Sequence, residues 1–414
     1  MPLPLGSAEA IPRRDGAALT MTFARRAAAL RLGFFMLGIL VGGWSTRIPE
    51  IKTALHMSDA VLGRTLMGAA IGSLLSSRMI GWLVRELGPK RVFYIGTAVF
   101  PLGYLTAAFA PNAYFIFIGV FFFSQGYMYL DNPLTLMTQQ LERESDRKYL
   151  SGFHGFWSVG TLSAAFFGSF LIGHVKYTYH LLGLATSAFI ILIICSRSFI
   201  GQNVDEEKPK KVQMSWFKGR FAVVVWAVGV GMLCSSSAEF GATDWSALFM
   251  RDVLGITGQL YVGAYIAFEA GMILIRLSGD KLIHEHGPEK VIRVAGLSAG
   301  TLWFISMMTG VALNDSHHAI AYVITLIGYF FAGAGVGPLF PAFITILGNV
   351  KGIEMAEAFA RCLLITIMGF SLAPAIIGAI SDATSLTFGM ALPMAMLIMV
   401  DGMGRVARKA SEVE

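Results

Sequence analysis

Residues 78–92 read Arg78-Met-Ile-Gly81-Trp-Leu-Val-Arg85-Glu86-Leu-Gly88-Pro89-Lys90-Arg91-Val92. A second stretch of the same design follows about 198 residues later and reads Arg276-Leu-Ser-Gly279-Asp280-Lys281-Leu-Ile-His284-Glu285-His-Gly287-Pro288-Glu289-Lys290-Val291. Each is a short charged turn with a Gly-Pro step, and each separates two long apolar runs. A turn of this kind is typical of a tight hairpin at a membrane surface. Its recurrence at half the chain length predicts two similar halves.

The composition indicates a membrane protein. Of the 414 residues, 55% are hydrophobic and only 14% are charged, whereas a soluble domain carries roughly 25% charged residues. A helix needs about 20 apolar residues to cross a bilayer. Twelve stretches qualify: 27–46, 59–80, 92–110, 113–137, 152–173, 179–198, 220–242, 259–279, 291–312, 319–347, 356–379 and 387–404. We therefore predict an all-α fold, a twelve-helix polytopic membrane protein with two pseudo-symmetric six-helix halves.

The connections indicate how the halves are joined. Most are short, and the longest carries a cluster of Asp, Glu and Lys that is typical of a solvated linker. The expected organisation is a disordered cytosolic tail at 1–23, six-helix halves at 24–198 and 220–405, a cytosolic linker at 199–219 and a second tail at 406–414.

The placement of the basic residues predicts the orientation. With the N-terminus in the cytosol, all but five of the 32 Lys and Arg residues fall on or near the cytosolic side. The five on the outer side are Arg47, Lys52, Arg64, Lys176 and Arg251. This bias follows the positive-inside rule and predicts cytosolic termini at both ends. It also explains the net charge of +6 without a nucleic-acid partner.

The first turn resembles the hairpin signature of the major facilitator superfamily, Gly-x-x-x-Asp-Arg-x-Gly-Arg-Arg. Four positions fit: Gly81, Gly88, Lys90 and, one place on, Arg91. Two are transposed in charge, because Arg85 stands where the family has Asp and Glu86 where it has Arg. The resemblance implies a gating role for these residues and for Asp280 in the second turn.

Two further stretches are similar to the bacterial MosC-like transporters of this superfamily, which resemble fucose permease. They read Glu239-Phe-Gly-Ala-Thr-Asp244-Trp245-Ser-Ala-Leu-Phe-Met-Arg251-Asp252 and His154-Gly-Phe-Trp-Ser-Val-Gly160. The resemblance covers about residues 25–405 and implies the major facilitator fold in an inner membrane. Because those relatives carry acidic and Asn residues in the fourth span, it also implies a site at Asp131 and Asn132.

Glu269 is the first candidate for a functional residue. It lies about ten residues into the eighth span, roughly 15 Å deep, and its counterpart in the first half is Ile71. It shares a helical face with Tyr261, Tyr265, Met272 and Arg276, which recur at steps of three and four. A carboxylate at this depth is costly unless it is protonated, paired or hydrated. We expect a proton carrier or a substrate contact, with a structural hydrogen bond or ion pair as the alternative.

Asp131 in the fourth span is the second candidate for proton coupling. Its counterpart is Phe340, and it shares a face with Tyr127. Asn132 and Pro133 follow, so we expect the backbone to loosen there. Because Asp131 lies two-thirds to three-quarters of the way toward the cytosol, a local network near the inner surface is the alternative.

The expected substrate-binding residues are Tyr127, Asn132, Glu239, Tyr265, Trp44, Arg47 and Trp245. We expect Glu239 near the outer end of the seventh span, with Asp244 and Trp245 following at the surface. For Glu239, an outer gate or substrate contact and interface anchoring remain equal alternatives. Arg47 is open between a cavity or gate and an anchor.

Small residues recur in both halves. Gly119 and Gly126 in the fourth span match Gly328 and Gly335 in the tenth, about 209 residues on. We expect these glycines to let helices approach closely. Pro338 and Pro341 in the tenth span can open or kink a helix that lines a cavity.

Several functions lack their sequence signals. There is no Gly-rich phosphate loop ending in Lys-Ser/Thr, so ATP is not the energy source, and we expect no cofactor. No nucleophile–base pair is visible, so we do not expect an enzyme. The pair His317-His318 has only Asp315 beside it and predicts no metal site.

We therefore predict a secondary active transporter that moves a small polar solute, sugar-like or another organic metabolite, by alternating access. The expected partners are this solute, a proton as coupling ion and the lipid bilayer, and we expect a monomer. Proton antiport of a metabolite or drug is the first alternative, and a non-transporting receptor is the second. A membrane enzyme or lipid scramblase would need a catalytic cluster that the sequence lacks. Neither the solute nor the direction of transport can be read.

Overall fold

The computed structural model describes residues 16–145, 149–199, 220–350 and 355–412, and these ranges contain helices and short connections without a β-strand. The first eight helices are α1 (Gly16–Ala54), α2 (Asp59–Leu87), α3 (Pro89–Ala108), α4 (Ala113–Ser145), α5 (Leu150–Ser169), α6 (Tyr177–Ser196), α7 (Arg220–Leu248) and α8 (Gly263–Arg276). The others are α9 (Gly279–His286), α10 (Pro288–Arg293), α11 (Gly300–Leu313), α12 (His318–Val336), α13 (Leu339–Gly348), α14 (Met355–Ala383) and α15 (Leu386–Glu412).

Short non-α turns join some of these helices into longer rods. A π-helical turn, Phe249–Val253, continues α7, and a 3-10 turn, Gly258–Val262, leads into α8. A second π turn, Val294–Ala299, connects α10 to α11. With α9 set aside as part of a hairpin, and α10–α11 and α12–α13 each counted as one, the described ranges contain twelve rods.

The twelve-helix prediction is confirmed. Ten of the rods are long and apolar enough to cross a membrane, namely all except α3 and α5. These two are 20 residues long, which is the length that a crossing needs. Both pack closely on helices that meet the apolar criterion, α3 on α4 and α5 on α1.

The two hairpins have the same backbone geometry. Gly88 ends α2 at φ 78° and Gly287 ends α9 at φ 77°, a region that glycine adopts without steric cost. The N–H of Gly88 donates to the Val84 carbonyl at 2.9 Å, and that of Gly287 donates to the Ile283 carbonyl at 2.9 Å. A proline follows at the first position of the next helix, where its missing N–H costs nothing. The repeated sequence therefore encodes a repeated turn.

The matched glycines lie where helices approach closely. A Cβ on Gly119 of α4 would lie 2.7 Å from the Ala107 Cβ of α3, and a Cβ on Gly126 would lie 2.6 Å from the Phe100 Cβ. In the second copy, a Cβ on Gly335 of α12 would overlap the Ala299 side chain in the π turn before α11. Because no larger side chain fits at these crossings, the contacts support the scaffold interpretation.

Several boundaries differ from expectation. Helix α1 begins at Gly16, inside the tail expected to be disordered at 1–23, because this stretch is rich in alanine, the strongest helix former. Helix α15 runs to Glu412 and so includes most of the second tail, 406–414. Residues 1–15 of the first tail and 200–219 of the linker lie outside the described residues.

The prolines act differently in two helices. Helix α12 ends at Val336 and α13 begins at Leu339, so the tenth rod is interrupted at Gly337–Pro338, as the sequence predicts. Helix α4, by contrast, continues through Pro133 to Ser145. The expected loosening after Asn132 is therefore wrong, because the helix accommodates this proline without ending.

Helices α1–α6, the N-terminal group, pack mainly on one another, as do α7–α15, the C-terminal group. Between the groups, the principal pairs are α2 with α14, α5 with α8 and α1 with α7. The repeat relates the first two pairs, because α2 corresponds to α8 and α5 to α14. These pairs form the surface on which a central site can lie.

Candidate translocation site

Glu269 lies buried between the two groups of helices. Glu269 is 1% exposed, and Thr161 Oγ1 lies 3.0 Å from Glu269 Oε2. Because Thr161 belongs to α5 and Glu269 to α8, this contact joins the N-terminal group to the C-terminal group. The deep carboxylate predicted from the sequence is therefore present, and its partner comes from the other group.

Two charged side chains, those of Arg276 and Glu239, follow Glu269 in the direction of the end of the bundle that holds the hairpins, hereafter the hairpin end. Arg276 lies two turns further along α8 and pairs with Glu239 of α7, with Nη2 and Oε1 3.4 Å apart. Both lie within electrostatic range of Glu269. The Arg276 side chain is 36% exposed and that of Glu239 is 22% exposed. Solvent therefore reaches this ion pair but not Glu269.

Helix α4 contributes Tyr127 and Asp131 to the same region. Tyr127 lies within electrostatic range of Asp131, Glu239 and Arg276, so α4 faces α7 and α8 across the centre. Asp131 Oδ1 is buried and has no hydrogen-bond partner among the described residues.

Asp131 lies 18 residues after the start of α4 and 14 before its end. Helix α4 extends eight residues beyond the apolar run, and these residues are mostly polar. The position of Asp131 within the apolar run is therefore unchanged, and its predicted depth toward the cytosol stays a prediction. The neighbouring Asn132 donates its Nδ2 to the Met128 carbonyl at 3.1 Å, so that its amide is occupied within its own helix.

Tyr265 belongs to the central region. It is buried in α8, one turn from Glu269, and lies within electrostatic range of Glu269, Glu239 and Asp244. An aromatic ring with a hydroxyl next to carboxylates can stack on a solute and bond to it. The structure thus brings together Glu269, Asp131, Tyr127, Glu239 and Tyr265 of the predicted site residues.

The predicted position of the α7 residues is wrong. Because the π turn carries α7 on to Val253, Glu239 lies near the middle of the rod rather than near its outer end. Trp245 is completely buried rather than placed at a surface, and Asp244 lies within the helix. The polar residues after 242 resemble a loop in the sequence, but they are covered by protein.

Trp44 and Arg47 lie in the packed interior of the N-terminal group. The Trp44 ring packs against Tyr104 and Phe123, with centroids 6.4 and 6.3 Å away. Arg47 is fully buried, donates Nε to His180 Nδ1 at 2.8 Å, and pairs with Glu50. Its burial excludes anchoring at a water-exposed interface.

A charged cluster joins the groups at the end of the bundle that holds the α1–α2 turn, hereafter the α1–α2 end. Lys52 Nζ lies 2.5 Å from Asp59 and 3.0 Å from Asp252 of the π turn. Arg251 Nη1 donates to the Pro49 carbonyl at 2.6 Å, and Ser381 of α14 bonds to Asp59. These contacts close the α1–α2 end. In the sequence, Lys52 and Arg251 stand out only as charges on the outer side, and nothing near them indicates these partners.

The hairpin residues lie apart from the centre. Lys90 Nζ donates to the Phe199 carbonyl at 2.7 Å, which ties the α2–α3 turn to the end of α6. Three charged residues beside this turn are exposed. Arg85 and Glu86 lie on α2, which also contains Gly81, and Arg91 lies on α3. Asp280 lies on α9, and its side chain is outside the described residues.

Two residues near the centre were missed from the sequence. Thr161 was not singled out, because a threonine in an apolar span carries no signal of its own. His154 of α5, which the sequence places at the cytosolic start of the fifth span and for which we expected interface anchoring, lies within electrostatic range of Arg276. Within the described ranges, no group of three or more His, Cys, Asp or Glu could hold a metal ion.

Comparison with known proteins agrees with this architecture. Residues 27–350 match the model of the Major Facilitator Superfamily, and the chain belongs to that superfamily. It is therefore a multi-pass membrane protein of a transporter family.

Individual relatives are distant but cover most of the chain. An uncharacterized MFS-type transporter of Yersinia pestis is 25% identical over 383 residues, which are 92% of this chain and 95% of that protein. The membrane protein MosC of Rhizobium meliloti is 24% identical over 385 residues, covering 93% and 88%. A solved D-xylose-proton symporter is similar with a TM-score of 0.71 at 12% identity, covering 92% and 97%. At this identity the last comparison shows the fold alone.

Proposed function

We propose that this transporter moves a small polar solute by alternating access and couples the movement to protons through Glu269. The observation that carries the proposal is the position of this carboxylate, which is buried at the crossing of α5 and α8 between the two groups. In the proposed cycle, the halves 24–198 and 220–405 rock about this crossing.

Proton coupling follows from the cost of burying a charge. A carboxylate without water is stable mainly when it is protonated or paired. In the closed arrangement the Glu269 carboxyl contacts the Thr161 hydroxyl, while Arg276 is paired with Glu239. We infer that Glu269 is neutral when it is buried and releases its proton when rocking exposes it to water. The proton thereby favours one arrangement of the groups over the other.

The polar solute follows from the side chains around the centre. Tyr127, Asp131, Glu239 and Arg276 provide both donors and acceptors within one another's electrostatic range. Such a mixture suits a hydroxylated, sugar-like compound or another organic metabolite better than an apolar one. The D-xylose-proton symporter is a precedent for this combination on the same fold, but its distance from the chain means that the argument rests on the site.

The charge bias provides the proposed orientation. With the hairpins and both termini in the cytosol, the α1–α2 end faces the outside. The closed cluster around Lys52 then seals the outer side, and the exposed Glu239–Arg276 pair faces inward. We accordingly infer a bacterial inner-membrane protein that is captured in an inward-facing arrangement.

The experiment is transport in proteoliposomes. A library of sugars and organic metabolites is first screened for solutes that raise the thermal stability of the purified protein. A stabilising solute is then offered to proteoliposomes with and without an imposed pH gradient. Accumulation above the external concentration, which requires the gradient and disappears with a protonophore, is expected. Uptake that only equilibrates, whatever the gradient, would contradict proton coupling.

A further inference from the structure

The hydroxyl of Thr161 touches two oxygen atoms. Oγ1 lies 2.8 Å from the Ser158 carbonyl oxygen of its own helix and 3.0 Å from Glu269 Oε2. Thr161 is completely buried and Glu269 almost so, so water does not compete for either group. The contact is the point at which α5 meets the deepest carboxylate of α8.

The number of hydrogen atoms limits how these contacts can be made. A threonine hydroxyl donates one hydrogen bond and can accept others, whereas a carbonyl only accepts. An ionised carboxylate also only accepts, so the hydroxyl could then serve Ser158 or Glu269 but not both. When Glu269 is protonated, it donates to Thr161 Oγ1, which donates in turn to the Ser158 carbonyl. Both short contacts are hydrogen bonds only in the protonated form.

Among the described residues, the other charged and titratable groups around Glu269 do not offer a second hydroxyl from the N-terminal group that could accept its proton in a hydrogen bond. From α7 it is faced by Glu239, and from α8 by Arg276 and Tyr265. Helix α12, which also packs on α8, carries no charged residue between 319 and 336. On α5, the titratable residue His154 lies near Arg276. Among the described residues of the N-terminal half, Thr161 is therefore the group that meets the Glu269 carboxyl directly.

We propose that Thr161 is a positioning residue for coupling. Its Oγ1 accepts a hydrogen bond from the protonated carboxyl of Glu269 and so holds α5 to α8 when the α1–α2 end is closed. This inference rests on the proposed role of Glu269. Ile71 in α2 is the counterpart of Glu269, and the offset of about 209 residues seen between Gly119 and Gly328 makes Phe370 in α14 the counterpart of Thr161. The sequence therefore places this polar fastening on one of the two related crossings, which allows protonation to act on α5 and α8 alone.

The test measures closure directly and needs no solute. Spin labels are placed by Ala54→Cys at the end of α1 and Ala383→Cys at the end of α14, both exposed at the α1–α2 end. The three native cysteines are buried. The distance between the labels is followed from acidic to alkaline pH in the full-length protein. The wild type is expected to be closed at acidic pH and to open as the pH rises.

Removing the hydroxyl should make closure require more acid. In Thr161→Val, and in Thr161→Ala as a second variant, the protonated Glu269 lacks its hydrogen-bond acceptor. Losing this hydrogen bond should lower the equilibrium constant for closing roughly tenfold. Because closure coupled to one proton changes tenfold per pH unit, the midpoint should fall by about one pH unit. Thr161→Ser retains the hydroxyl and should keep the wild-type midpoint.

A matched control separates this role from ordinary packing. Thr97 is equally buried, but its hydroxyl bonds only the Phe93 carbonyl of its own helix, at 2.9 Å. Thr97→Val should leave the midpoint unchanged. The inference would be overturned if the pH midpoint of closure were unchanged in both Thr161→Val and Thr161→Ala. It would also be overturned if the midpoint fell as far in Thr161→Ser as in Thr161→Val.

The role of Glu269 is tested in the same assay. In Glu269→Gln the balance between the closed and the open arrangement should no longer depend on pH, because its amide donates to Thr161 without titrating. If Glu269→Gln opens with the wild-type pH dependence, the proposed coupling role itself fails. If it loses that dependence while the Thr161 variants behave as wild type, only the inference about Thr161 is lost.

Discussion

Lys52 Nζ lies 3.0 Å from Asp252 Oδ2, and this ion pair joins α1 to the π turn that follows α7. The same ammonium lies 2.5 Å from Asp59 at the start of α2. One cation thus holds the N-terminal group to the C-terminal group at the α1–α2 end. Because the contact can exist only when this end is closed, it favours the closed arrangement over an open one.

Neutralising Asp252 should therefore favour opening. Partly exposed ion pairs contribute about 0.5–1 kcal/mol, so Asp252→Asn should shift the equilibrium roughly two- to fivefold. The measurement is the distance between spin labels at Ala54→Cys and Ala383→Cys. Glu285→Gln is the matched control, because it removes a carboxylate from the exposed Lys281–Glu285 pair on α9. Equal distance distributions for Asp252→Asn and this control would show that the cluster does not hold the end closed.

The orientation can be tested with reporter fusions. We expect a reporter at Gly201, in the linker, and another after Glu414 to read cytosolic, because nearly all Lys and Arg lie on that side of the predicted topology. The measurement is the activity of paired reporters that are active on opposite sides of the inner membrane. A periplasmic reading at either position would reverse the assignment of the closed end.

The glycine crossings should matter for folding. Gly335→Leu should lower the yield of folded protein in the membrane, because the larger side chain overlaps Ala299 and overpacking typically costs about 1–3 kcal/mol. Gly402→Leu is the control, since nothing lies within 4 Å of a Cβ at that glycine. The yield is measured by size-exclusion chromatography with fluorescence detection. A normal yield of Gly335→Leu with lost transport would indicate instead that α12 lines the solute path.

The features that could be predicted from the sequence are those that local patterns encode. Gly88 and Gly287 stand at equivalent turns because each turn needs a positive φ directly before a proline, and this requirement is visible in the sequence. Glu269 could be found because a carboxylate inside an apolar run has no local explanation. Twelve rods follow from the lengths of the apolar runs.

The features that could not be predicted depend on contacts between distant segments. Trp245 comes after an apolar run and the polar residues Thr243 and Asp244, so the helix seemed to end before it. Packing against protein lets the rod of α7 continue to Val253. The partner of Glu269 is 108 residues away, and no spacing rule relates α5 to α8. Arg47 has the sequence context of a surface residue, yet His180 and Glu50 allow it to be buried.

Asp131 and Glu269 make separable predictions. Because Asp131 Oδ1 is buried without a hydrogen-bond partner among the described residues, we expect Asp131 to bind solute rather than carry the proton. Asp131→Asn should weaken solute binding, measured as thermal stabilisation by the solute, by roughly three- to thirtyfold, the range for a lost hydrogen bond. It should keep accumulation that depends on the pH gradient. Loss of accumulation with normal solute binding would assign coupling to Asp131.

The most direct test of the account compares exchange with accumulation in Glu269→Gln proteoliposomes. The amide mimics the protonated carboxyl but cannot release a proton. We predict that the variant still exchanges labelled for unlabelled solute at a rate comparable to the wild type, and that it no longer accumulates solute against its gradient when a pH gradient is imposed. Accumulation at the wild-type level in Glu269→Gln would contradict the central claim that this residue couples transport to protons.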